Sequence, residues 1–217
     1  MIEAYFFDLD GTLVDTEILW VEALEALAGE HEYPLPADQA LEMVYGLAWP
    51  EVYQRFKATY PNIPWDVDEM GALLAQHFLR LRDSRDICIE SSIALLRKLA
   101  TTHPVAVVSG SYREDVAAAI GIAKIDPFIR FYLGHEDYHP GKPHPACYLS
   151  AADMMGVPAE ACVVFEDSTA GLCAAKDAGM FGVAIARPGR PEQDYSRADL
   201  VLEDLADYDP ELLPVAP

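Results

Sequence analysis

Five apolar runs of strand length constrain this chain most: 4–7 (AYFF), 105–108 (VAVV), 129–133 (IRFYL), 162–165 (CVVF) and 181–186 (FGVAIA). They are mostly unalternated. A strand with one wet face alternates apolar and polar residues, whereas a strand covered on both faces does not. Helical segments separate most of the runs. Residues 91–100 open with serines suited to capping, and residues 112–120 end at Gly121. Residues 145–156 end at Gly156, and 168–179 run from Ser168 to Gly179. Ser at a helix start and Gly at its end satisfy the terminal backbone groups. Strand alternating with helix predicts an α/β fold, a parallel sheet with helices on both faces. The chain from Pro188 is loop-like, and "ADLVLEDL" then predicts a short last strand and turn.

One region breaks this rhythm. From residue 16 to about 85 no convincing strand appears. The pattern predicts helices at 17–30, 38–45, 50–59 and 67–83, punctuated by Pro34, Pro36, Pro61 and Pro64. An insert of roughly 70 residues far exceeds an ordinary strand-to-helix connection. The expected organisation is a core domain of 1–15 and 86–217 with a helical cap domain of 16–85. There is no internal repeat and no low-complexity tract.

Composition narrows the partners. Asp and Glu number 36 against 15 Lys and Arg, a net charge of −21. Phosphate backbones and anionic lipids need clustered cations, so no nucleic-acid or membrane partner is expected. No run of 18 apolar residues reads as a membrane span, and the N-terminus enters a strand with no export signal. Cys88, Cys147, Cys162 and Cys173 are scattered without a CxxC pair, which fits a reduced, cytoplasmic setting. The sequence is silent on oligomeric state. An acidic chain still takes a small anion where a metal and one or two cations invert the local field.

Open α/β sheets place ligands beyond the carboxyl ends of their strands. The first run ends in Asp8 and Asp10, two carboxylates that alternation points to one side. The second ends in Ser109, Gly110 and Ser111, a hydroxyl and backbone N–H groups at a helix start, which suit a phosphate. The third leads to Lys142, set between Gly141 and Pro143. The fourth ends in Glu166 and Asp167 before a helix. Each has a plain reading alone: an Asp-Gly turn, a helix cap, a surface lysine, an acidic first turn. A turn explains Asp10 and leaves Asp8 unexplained. Coincidence of all four at one sheet edge favours a site, and a cation would relieve the repulsion between the carboxylates.

"DLDGTLVDT", "VVSGS", "GKPHP" and "FEDSTAGLCAAKDAG" resemble, in order and spacing, the four motifs of the haloacid dehalogenase superfamily. The resemblance covers essentially the whole core. The insert after the first motif resembles the cap of β-phosphoglucomutase-like phosphatases. The resemblance implies a Rossmann-like core, bound Mg²⁺ and an aspartyl-phosphate intermediate. Asp8 is then the nucleophile and Asp10 the general acid and base. Ser109, the Gly110 amide and Lys142 would bind the phosphoryl oxygens. Asp8, the Asp10 carbonyl and Asp167 would hold Mg²⁺, with Glu166 binding it directly or through water. An aspartate at position 10 favours phosphoryl transfer over the dehalogenase branch, which lacks it.

The implied partner is a small phosphorylated metabolite, such as a sugar phosphate. Two alternatives stay open: a hexose-phosphate mutase, and an idle binding protein of this fold. A mutase needs cap groups for a second phosphate. By approximate alignment, this chain has Trp20 at one such place. After Gly46 it reads Leu47, Ala48 and Trp49, an indole at the other. The cap helices carry few cations: Arg55, Lys57, Arg80 and Arg82. Hydrolysis is therefore expected. Trp20, Trp49 and Trp65 have helix packing as their default reading. His135, His139 and His144 read as loop histidines, and Arg113 either as a phosphate contact or as a solvated first-turn residue.

Overall fold

A computed structural model describes residues 1–45, 47 and 49–212. They divide into two compact units, one of Met1–Val14 with the described residues from Cys88 onward, the other of Asp15–Ile87.

In the first unit, β1 (Ala4–Phe7), β2 (Val105–Val108), β3 (Tyr132–Leu133), β4 (Cys162–Glu166), β5 (Phe181–Ile185) and β6 (Leu200–Leu202) form a parallel sheet. Its order is β3-β2-β1-β4-β5-β6. Burial follows that order. Every residue of β1, β2 and β4 is buried, while the edge strands β3 and β6 are only partly so. This is why the central runs do not alternate. Phe7 pairs with Val107 on one side and Phe165 on the other, so the next step along each strand sets Asp8 beside Glu166. Carboxylate meets carboxylate because the register of three apolar strands demands it.

The helices of this unit connect the strands. They are α5 (Glu90–Leu99), α6 (Arg113–Ala123), α7 (Ala146–Met155) and α8 (Thr169–Asp177). Ser168 caps α8, accepting the Gly171 N–H at 3.0 Å, and Gly156 ends α7 at φ +74°. Three local expectations differ. Ser91 and Ser92 do not cap α5. Ile89 stands at its N-cap, Ser91 donates to Asp204, and Ser92 accepts from Arg187. Helix α6 runs through Gly121 to a left-handed Lys124, because a helix interior tolerates a single glycine. The 129–133 run yields only two strand residues, since it lies at the half-exposed edge.

The second unit holds α1 (Glu17–Glu30), α2 (Ala37–Val44), α3 (Trp49–Thr59) and α4 (Val67–Ser84). Helix α1 packs on α2 and α4. Asp66 opens α4 with a capping box, its side chain accepting two amides while Glu69 accepts the Asp66 N–H. Trp20 stacks on Phe78 with ring centroids 4.0 Å apart. Trp49 donates its indole N–H to the Val67 carbonyl at 3.2 Å and lies against Gly71, where a Cβ would come within 3.1 Å of it. Trp65 meets His31 and Tyr33 edge-on. All three indoles therefore take part in helix packing. Gly46 and Ala48, used in the alignment above, lie outside the described residues. No helix among the described residues is long and apolar enough to cross a membrane, and the four cysteines are free.

Candidate active site

Asp8, Glu166 and Asp167 are 6%, 1% and 8% exposed. Each offers one carboxylate oxygen, and these oxygens lie within 4.8 Å of one another. Lys142 reaches them from the loop between β3 and α7. Its ammonium donates to Asp8 Oδ1 at 2.7 Å, to Glu166 Oε1 at 2.5 Å and to the Val108 carbonyl at 3.2 Å. An ammonium has three donors, so the lysine is held on three sides. Burial alone would lower the Lys142 pKa, but the Asp8 and Glu166 carboxylates more than offset it and hold the ammonium well above its usual value. Asp8 moves well above the carboxylate range, through burial first and then the Glu166 charge, with Lys142 opposing.

This donor set fits a hard divalent cation. All three groups supply oxygen, and three buried carboxylates against one ammonium leave negative charge in excess. Backbone space fits as well. Gly11 has φ +77°, and a Cβ there would sit 2.0 Å from Asp167 Oδ2. Only glycine lets the loop that carries Asp10 approach Asp167 so closely.

Asp10 is not one of these three carboxylates, though its charge adds to the rise of the Asp8 carboxyl. Asp10 Oδ2 accepts from the Ser111 hydroxyl at 2.7 Å and from the Ser109 hydroxyl at 3.2 Å. Ser109 Oγ also accepts the Ser111 N–H at 3.0 Å. Gly110 lies between them, and a Cβ there would meet open space. The structure thus brings Asp8, Asp10, Ser109, Lys142, Glu166 and Asp167 to one sheet edge, with Gly110 in the turn that follows β2.

Arg113 is directed elsewhere: it pairs with Asp137, and its guanidinium lies 4.6 Å from the Tyr132 ring centre. His135, His139 and His144 form no metal-binding group among the described residues. Sequence reasoning missed three tyrosines. Tyr138 donates to the Ser109 carbonyl at 2.7 Å, and burial pushes its phenol up to about 12. Tyr195 donates to the Asp167 carbonyl at 2.6 Å, and Tyr148 to Glu166 Oε1 at 2.6 Å. These residues lie 18 to 29 positions from their partners, so local spacing carries no signal for them.

Comparison with known proteins agrees with this geometry. The sequence matches the haloacid dehalogenase-like hydrolases over residues 5–185, and the chain belongs to that family. Members generally use a divalent metal, and this chain has the acidic cluster for one. It is similar to 6-phosphogluconate phosphatase of Escherichia coli, 33% identical over 82% of this chain and 80% of that one. It is also similar to β-phosphoglucomutase of Mycobacterium bovis, 31% identical over 95% and 91%. Among solved structures, a family hydrolase from Deinococcus radiodurans with bound phosphate and sodium is 27% identical. Its TM-score is 0.75, covering 93% of this chain and 90% of that one.

Proposed function

We propose that the chain is a Mg²⁺-dependent phosphatase that hydrolyses a small phosphorylated metabolite, a sugar phosphate or related phosphomonoester. The observation that carries this reading is the buried Asp8, held by Lys142 at 2.7 Å, beside an Asp10 held separately by two serine hydroxyls. One carboxylate is set to attack and the other to move protons.

Asp8 attacks phosphorus, and the bond from phosphorus to the ester oxygen breaks. Asp10 gives its proton to the departing alkoxide, then takes one from the water that attacks the aspartyl phosphate. That second attack breaks the bond from Asp8 oxygen to phosphorus and frees inorganic phosphate. Ser109, the Gly110 amide and Lys142 bind the phosphoryl oxygens as their charge develops. Asp8, the Asp10 carbonyl and Asp167 would hold Mg²⁺. A bound Mg²⁺ would supply charge against those oxygens.

The Asp15–Ile87 unit would serve as a cap that selects the substrate. Hydrolysis is favoured over transfer to a second hydroxyl because four of this unit's cations are engaged within its own fold. Arg55 donates to the Glu42 carbonyl, Lys57 to the Ile63 carbonyl, Arg82 to Asp83 and Arg85 to Glu22. A second phosphate left unpaired away from water would cost several kcal/mol.

Release of phosphate from a panel of phosphorylated metabolites, with Mg²⁺ and with EDTA, tests the reading. Turnover that needs Mg²⁺ and fails in EDTA is expected; full activity in EDTA overturns it. A hexose 1-phosphate with a trace of its bisphosphate should give free phosphate faster than hexose 6-phosphate; the reverse order makes the chain a mutase.

A further inference from the structure

Glu166 has both carboxylate oxygens engaged inside the fold. Oε1 accepts from Lys142 at 2.5 Å and from Tyr148 at 2.6 Å. Oε2 accepts from the Ser168 hydroxyl at 3.0 Å, with the Ser168 N–H at 3.4 Å. A Cβ at Gly171 would lie 1.9 Å from Oε1, so the backbone of α8 leaves no room for the carboxylate to move on that side. Tyr148 is completely buried, on α7, and its ring centre is 5.2 Å from the Lys142 ammonium. The phosphatase chemistry above uses no phenol, yet this one is fixed at the side of the lysine that serves it.

We propose that Tyr148 is a positioning residue: its hydroxyl holds Glu166 against Lys142, which keeps Glu166 out of the cation's ligand set and fixes the ammonium beside Asp8. This inference rests on the phosphatase reading. Three oxygens lie close enough to share a cation, one each from Asp8, Glu166 and Asp167. The last torsion of a glutamate is broad, so an unanchored carboxylate turns easily. Without the tyrosine hydroxyl, Oε1 would have only the lysine. Glu166, with Oε2 still held by Ser168, would then swing Oε1 toward the cation and draw Lys142 away from the nucleophile. The tyrosine resolves which of two positive partners the glutamate takes. It acts through Glu166 and Lys142 and touches no reacting atom.

The test is a cycle of four proteins: wild type, Tyr148→Phe, Glu166→Gln and the double variant. Turnover of p-nitrophenyl phosphate gives kcat and KM, and calorimetric titration gives Mg²⁺ affinity. Tyr148→Phe is expected to lower kcat about tenfold with KM within about twofold, the signature of an interaction used in the transition state. It should also tighten Mg²⁺ binding, since Glu166 is freed to join the ligands. The double variant should be no slower than the slower single variant, because both act on one lysine. An unchanged kcat in Tyr148→Phe, or effects that multiply in the double variant, would overturn the proposal. Should Tyr148→Phe fail to fold, Glu166→Gln decides. It should weaken Mg²⁺ binding much less than Asp167→Asn does, and equal weakening makes Glu166 a ligand. Asp8→Asn in the same assay keeps the two readings apart. Turnover that survives it removes the phosphatase reading, while the Mg²⁺ affinities still judge Tyr148 and Glu166.

Discussion

The sheet unit and the helical unit bury different things. Among the described residues, the buried carboxylates Asp8, Glu166 and Asp167 all belong to the sheet unit. The helical unit buries aliphatic residues and aromatic contacts, such as Tyr33 with Phe56 and Phe56 with Tyr60. Its buried histidine, His77, pairs with Glu30. A core of the second kind is stabilised by the burial itself. A cluster of the first kind costs stability unless every charge is matched, and a buried charge that loses its partner destabilises by about 3–5 kcal/mol. The difference teaches where chemistry is done. The sheet unit tolerates an electrostatic debt at one edge because six strands of parallel sheet hold the groups in place.

The largest effect should come from Asp8→Asn. Turnover should fall by about 10⁴-fold or more, as for loss of a nucleophile. Metal-free stability should hold or rise, because one crowded carboxylate is gone. Denaturant melts of metal-free protein check this, and a large loss of stability would break the comparison. Next comes Asp10→Asn. It should slow sugar phosphates by about 10²–10⁴-fold, the size of a general-acid contribution. p-Nitrophenyl phosphate should suffer far less, since its leaving group needs no proton. Equal slowing of both substrates would remove the acid role.

Divalent cation should stabilise the protein more at higher pH. The Asp8 carboxyl is raised in the folded state by burial and by Glu166. Such a group contributes stability that is fully present below its unfolded value and is lost as pH rises through the folded value. Metal-free protein should therefore melt lower as pH climbs above the carboxylate range. A cation binds the ionised form, so its increment grows over the same range and reaches about 2.7 kcal/mol at a hundredfold excess over Kd. Melting curves at several pH values, with and without Mg²⁺, measure it; an increment independent of pH contradicts the account. Trp20→Ala, in the helical unit, should cost about 2–3 kcal/mol, below the ~3–5 of a fully buried aromatic. It should leave Mg²⁺ affinity unchanged, and a shifted affinity would show that the two units do not divide their tasks as described.

The sheet was legible because its central strands are buried on both faces and so carry no alternation. Its edge was less so: Ile129–Arg130–Phe131 looks like strand but stands beside solvent. The ends of the strands were legible too. Asp8, Ser109 and Asp167 each follow or neighbour an apolar run, and strand geometry brings such positions together, while Lys142 comes from the loop after the third run. What was not legible arises from packing across the fold. Tyr148 reads as one more core residue of α7, and only the tertiary structure shows its hydroxyl on Glu166. Ser111 followed Ser109 in the sequence, but its bond to Asp10 depends on β1 and β2 lying side by side. The serines of α5 misled because a capping residue and a tertiary hydrogen-bond partner look alike in sequence.

The central claim is that Asp8 carries the phosphoryl group. Asp10→Asn protein, mixed with a phosphorylated substrate and Mg²⁺ and quenched in acid, should yield a phosphoryl adduct on the peptide that contains Asp8. Intact-mass and peptide mass spectrometry read it directly, with Asp8→Asn as the blank. The account predicts an adduct at Asp8 that forms before free phosphate and is absent from the blank. Turnover by the wild type with no adduct at Asp8, or an adduct on another residue, would contradict it.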